Sequence, residues 1–126
     1  MNRQMAQHVA AVVEGVFEAT AAELRQHDAD AYASLVDFAP AGTQSVITLD
    51  FGRDGGNWQR NLVMIMEATE PGGWSIEVEI YDEEQAPIIK VGKATVADED
   101  LADVALALAR AGRSRLIAEI GQPVAA

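Results

Sequence analysis

The chain contains no cysteine, which excludes a disulfide scaffold, a thiolate zinc site and a cysteine nucleophile. Basic residues are scarce as well: nine Lys and Arg stand against 20 Asp and Glu, for a formal net charge of −11. Nucleic-acid affinity comes from Lys and Arg on phosphates, so no nucleic-acid partner is expected. The same shortage removes attraction to an anionic membrane surface. No apolar run approaches the roughly 20 residues of a transmembrane helix. The N-terminus does not read as an export signal, because only Arg3 precedes the first apolar stretch and Glu14 interrupts it before h-region length. The expectation is a cytoplasmic protein without a membrane partner, which suits a chain without cysteine. Aromatics make up only 6% and prolines number four. The prolines, at 40, 71, 87 and 123, all sit where regular structure would end.

What is present is enough apolar matter for one core. Of 126 residues, 49% are hydrophobic, although 23 of the residues are Ala. That composition is too apolar for disorder and too small for two cores, so residues 1–126 read as a single domain. No internal repeat or linker interrupts it.

The hydrophobic period changes twice along the chain. Over 4–26, Met5, Val9, Val12, Val13, Val16, Phe17 and Leu24 follow the spacing of one helix face. Such a helix would be about 35 Å long, enough to cross a whole sheet. Residues 27–30 offer an N-cap for a second, short helix over 31–38. Four strands follow. Residues 46–51 alternate, with Ile47, Leu49 and Phe51 on one face. Residues 58–69 are apolar on both faces at their centre, as in a central strand. The Pro71–Gly72–Gly73 turn leads to 74–82, where Trp74, Ile76, Val78 and Ile80 alternate with Ser75, Glu77, Glu79 and Tyr81. The last strand spans 88–96, with Gly92 marking a bulge or a close contact. Asp98, Glu99, Asp100 and Asp103 then suit the positive end of a final helix. Arg110, Arg113 and Arg115 suit its negative end, and Gly112 is a point where it would break. The expected fold is α+β: a two-layer sandwich, with a four-stranded antiparallel meander flanked by N-terminal and C-terminal helices (α-β-β-β-β-α) on one face.

Catalytic and metal signatures are few. His8 and His27 have no acid partner at a recognisable spacing, and no zinc motif occurs. The loop over 50–57 carries acids and glycines, but Asp50 and Asp54 do not have the ligand spacing of an EF-hand. No phosphate-cradling glycine motif and no nucleophile elbow is present. No cofactor is expected. The carboxylates Glu67, Glu77 and Glu79 stand out, because they fall with Tyr81 on one face of adjacent strands. Three readings apply: a solvated sheet face, a general acid–base pair, or a binding surface. The last gains weight from charge distribution. Residues 1–109 hold 19 acids and 6 bases. The outer face would carry Glu67, Glu77, Glu79 and Tyr81, with Glu83 and Glu84 at its edge and Val63, Ile65, Ile89 and Val91 between. Carboxylates mixed with aliphatic and aromatic groups suit a basic or amphipathic protein segment. The exposed apolar centre also suits a homodimer seam. A different reading places a small apolar or cationic ligand between the sheet and the first helix, against Phe17, Trp58, Met64, Met66 and Trp74.

In size, charge and α/β pattern the chain resembles two broad groups: acidic immunity proteins that mask basic toxins, and acidic dimeric secretion chaperones that hold an effector segment. Either resemblance implies a non-enzymatic interaction protein. A secretion chaperone would interrupt its strands with a helix, whereas four strands run consecutively here.

Overall fold

The computed structural model describes residues 2–26, 29–38, 43–53, 59–69, 72–82, 84 and 86–121. Helix α1 (Arg3–Leu24) is followed by five strands, β1 (Ala29–Phe38), β2 (Gln44–Arg53), β3 (Gln59–Thr69), β4 (Gly73–Asp82) and β5 (Pro87–Val96), and by helix α2 (Asp98–Gly121). The strands form one antiparallel sheet in the order β1-β2-β3-β4-β5. Helix α1 lies over β1 and β2, helix α2 lies over β3, β4 and β5, and the helices pack side by side. The result is the expected α+β sandwich with one more strand.

The additional strand is the segment over 31–38, for which the sequence suggests a short helix. It pairs with β2 along its whole length, from Ala29 opposite Arg53 to Phe38 opposite Gln44. An eight-residue helix gains few internal hydrogen bonds against the cost of nucleation. A full antiparallel ladder beside β2 outweighs it, and Tyr32, Val36 and Phe38 favour extended backbone. The turn into β4 uses Gly72 at φ 143°, a conformation that strains any side chain.

Alternation builds the core. Ile47, Leu49 and Phe51 of β2, Leu62, Met64 and Met66 of β3, and Trp74, Ile76, Val78 and Ile80 of β4 are all buried. Against them α1 sets Val9, Val13, Phe17 and Ala21, and α2 sets Leu101, Ala105, Ala109 and Leu116. Gly112 does not break α2. It is buried where the helix presses on the sheet, and a Cβ there would stand 2.9 Å from both Leu62 Cδ1 and Val78 Cγ1.

The helix ends are pinned by polar contacts. Asn2 caps α1 by accepting from the Met5 N–H at 3.0 Å. The Asp98 carboxylate at the start of α2 accepts from the Trp74 indole N–H at 2.6 Å and from the Asn2 N–H at 3.1 Å. One side chain thus joins both helix N-termini to β4. Because α2 continues to Gly121, Arg110, Arg113 and Arg115 lie in its middle and not at its negative end. Arg113 instead bridges to α1, donating to Thr20 Oγ1 at 2.9 Å and Glu23 Oε2 at 3.0 Å. The sheet serves the C-terminus: Arg53 donates to the Ile120 carbonyl, and Arg60 pairs with Glu119 at 3.3 Å.

Two glycine replacements separate helix propensity from close packing. Gly15 lies in α1, and a Cβ there would meet no atom within 4 Å, so Gly15→Ala gains about 0.5–1 kcal/mol. Gly112→Ala gains the same propensity but pushes a methyl into buried Leu62 and stiff, β-branched Val78. Overpacking of about 1–3 kcal/mol turns the sum to a net loss of about 1 kcal/mol. Thermal melting should therefore move up for the first variant and down by about 4 °C for the second.

Candidate functional site

Both helices occupy one side of the sheet, so the even-odd alternation of the strands presents a second face that no described element covers. The antiparallel registers set its side chains in rows. One row runs Tyr32, Asp50, Asn61, Tyr81; the next runs Ser34, Thr48, Val63, Glu79, Lys90; a third runs Val36, Val46, Ile65, Glu77, Lys93; a fourth runs Phe38, Gln44, Glu67, Ser75, Thr95. The face has an apolar centre, Val36, Val46, Val63 and Ile65 of β1–β3, with Asp50 and Glu67 toward its two ends and Glu77, Glu79, Lys90 and Lys93 on β4 and β5.

This arrangement unites four of the six residues singled out for partner binding. Glu67, Glu77, Glu79 and Tyr81 share the open face, with Val63 and Ile65 directly opposite Glu79 and Glu77. Glu84 is exposed in the turn after β4, where its N–H donates to Asp82 Oδ1 at 2.9 Å. Glu83 lies outside the described residues. Ile89 and Val91 do not belong to the face. Ile89 opposes buried Ile80, and both side chains pack against the core, because the register shifts in β5 reverse the simple alternation.

The acids are crowded. A hydrogen bond with Glu77, then burial, then the charge of Glu77 hold the Glu79 carboxyl above its ordinary 4.5, while Lys90 and Tyr81 pull the other way. Burial first, and then Glu79, raise the Tyr81 phenol above 10.0, so it remains a donor to that carboxylate. Crowded carboxylates are relieved by an added cation. Lys93 and Lys90 stand directly opposite Glu77 and Glu79 on β5 and supply part of that relief.

A second feature of the same face has no motif in the sequence. Asp30, Tyr32, Asp50, Gly52, Gln59 and Asn61 line a shallow cleft of about 180 Å³. Burial alone raises the Asp50 carboxyl above 3.8. The cleft depends on β1, which supplies Asp30 and Tyr32, so a helix over 31–38 would have no such feature.

The residues proposed to hold a small ligand are placed differently. Phe17, Met64, Met66 and Trp74 are at most 1% exposed and pack together in the core, so a ligand between α1 and the sheet would have to displace them. Trp58 lies outside the described residues. An apolar recess of about 210 Å³ opens elsewhere, at the C-terminal ends of the helices, among Leu24, Ala29, Phe51, Arg53, Ile117 and Ile120. His8 is exposed on α1, and His27 lies outside the described residues. Among the described residues no three His, Asp or Glu side chains gather as a metal site, and no helix is long and apolar enough to cross a membrane. No family model, curated protein or solved structure matches the chain.

The carboxylates predict opposite pH effects. Glu79 has a raised folded-state pKa, so the folded chain holds the extra proton and stability falls as pH rises from about 4.5 through the raised value. Glu79→Gln removes this loss, and its stability difference from the parent grows more favourable across that window. The Trp74 indole N–H, followed by other hydrogen bonds including one from the Asn2 N–H, lowers the Asp98 pKa below 3.8. Asp98→Asn therefore costs stability at neutral pH, and the cost disappears as acid protonates the parent carboxyl. Urea unfolding of the three proteins between pH 3 and 7 gives both signs.

Proposed function

We propose that the protein is a non-enzymatic interaction module whose open sheet face binds a basic or amphipathic segment of another protein. The carrying observation is the adjacency on that face of Glu67, Glu77, Glu79 and Tyr81 with Val63 and Ile65. An extended or helical segment bearing Lys or Arg beside apolar side chains meets both halves at once: its cations relieve the crowded Glu77 and Glu79, and its apolar groups cover Val46, Val63 and Ile65. The net charge of −11 steers such a segment toward the molecule over a Debye length, and the apolar contact then holds it. Masking a basic toxin or holding an effector segment would use this same surface. The absence of cysteine suits such work in the cytoplasm.

The test is fluorescence anisotropy with a labelled amphipathic peptide of alternating Lys and Leu, beside a matched peptide of Glu and Leu. The Lys peptide should bind and the Glu peptide should not. Affinity should fall steeply with added salt. Reversing both acids, Glu77→Lys with Glu79→Lys, should weaken binding by about tenfold or more, while Val63→Ser with Ile65→Ser should weaken it without changing the salt slope. Equal binding by the charge-reversed variant, with its fold intact by circular dichroism, would remove the surface from the proposal.

A further inference from the structure

The two edges of the sheet are unlike. Strand β5 begins with Pro87, carries Lys90 and Lys93, and pairs with β4 through two register shifts. Proline, lysine and bulges are the devices that keep an edge strand from pairing with another chain. Strand β1 has none of them. Its ten residues, Ala29–Phe38, contain neither Pro nor Lys, and they keep an unbroken register with β2 from end to end. Its open-face side chains Tyr32 and Val36 are 59% and 49% exposed. Among the described residues, one hydrogen bond reaches the backbone of 31–36 from outside the sheet, from Arg25 Nη1 to the Ala31 carbonyl at 2.6 Å.

The geometry points to a second copy of this chain on that edge, with β1 of each copy paired antiparallel to form one continuous ten-stranded sheet. A two-fold axis perpendicular to the sheet keeps both open faces on the same side. Directly opposed residues of antiparallel strands share a face, so even-numbered residues must oppose even-numbered ones. Two registers then pair nearly the whole strand, centred on Ala33 or on Ser34.

Charge selects the second. With Ser34 on the axis, Ala31 of one copy lies opposite Asp37 of the other. This brings the Arg25 guanidinium, now held at Ala31 and paired with Glu18 at 3.3 Å, beside that copy's Asp37 carboxylate, which accepts from Gln7 Nε2 at 2.8 Å within its own chain. The two-fold axis makes this pair twice. The same register opposes Tyr32 to Val36 on the open face, an aromatic group against a β-branched one, which is a favourable cross-strand pair. The helix layer also fits. Helix α1 sits over β1 and β2, so its copy across the axis lies about two strand spacings away, roughly 10 Å, within the range of packed helices. The edge is separate from the open face, and pairing there leaves that face uncovered.

The absence of native cysteine makes the register directly measurable. Sedimentation equilibrium at about 100 μM, where even a weak dimer forms, should give a dimer. Under mild oxidation Ser34→Cys should cross-link to itself. Thr48→Cys, opposite Ser34 but one strand inward, should not. A mixture of Tyr32→Cys with Val36→Cys should yield a mixed disulfide that neither forms alone. Arg25→Asp should weaken the dimer about tenfold, and adding Asp37→Arg should restore it. A monomer at this concentration overturns the proposal. So does a dimer in which neither the Ser34→Cys chain nor the Tyr32→Cys and Val36→Cys mixture cross-links, or in which Thr48→Cys cross-links equally.

Discussion

The apolar face of a sheet has to be covered, and here the helices before and after the meander cover it. Among the described residues the elements outside the sheet are α1 and α2, and both fall on the side where Ile47, Leu49, Leu62, Met64, Ile76 and Val78 point. Almost everything else follows from that constraint. The helices divide the sheet between them, α1 over β1 and β2 and α2 over the rest. Close approach is then needed where α2 crosses β3 and β4, and Gly112 provides it. The opposite face is left to solvent or to a partner.

Polar contacts fix how the layers meet. The Asp98 carboxylate gathers the Trp74 indole and the Asn2 N–H, so the start of each helix is set relative to β4. Arg113 bridges the helices through Thr20 and Glu23. Arg53 and Arg60 reach from the sheet to the last turn of α2, where positive charge meets the negative end of the helix macrodipole. These contacts engage several of the chain's few cations inside the fold, and among the described residues Lys90 and Lys93 are the cations that stand opposite the acids of the open face.

The open face and the β1 edge serve different contacts. The face mixes carboxylates with aliphatic side chains and suits a segment that brings its own cations. The edge offers backbone hydrogen bonds and suits a strand of matching pattern. A dimer through β1 would double the face without covering it, giving two acidic patches on one continuous surface.

Much of this is legible in the residues themselves. Strict alternation in β2 and β4 identifies those strands and their inward side chains, because a period of two has only one way to bury its apolar half. The helix spacing of Met5 to Leu24 locates α1, and the acids at 98–100 locate the start of α2. The shared face of Glu67, Glu77, Glu79 and Tyr81 follows from the same parity. Other features are settled only by tertiary contacts. Residues 31–38 suit either state locally, and the ladder with β2 decides for the strand. Gly92 is the local mark of a bulge in β5, and the register shift beside it bears that out; that Ile89 and Val91 turn toward the core is decided by the pairing with β4. The side chains of Phe17, Met64, Met66 and Trp74 become a closed core because two helices pack on them. Local periodicity states which side of an element is apolar; what lies against that side depends on residues far away in the chain, and only the assembled layers determine it.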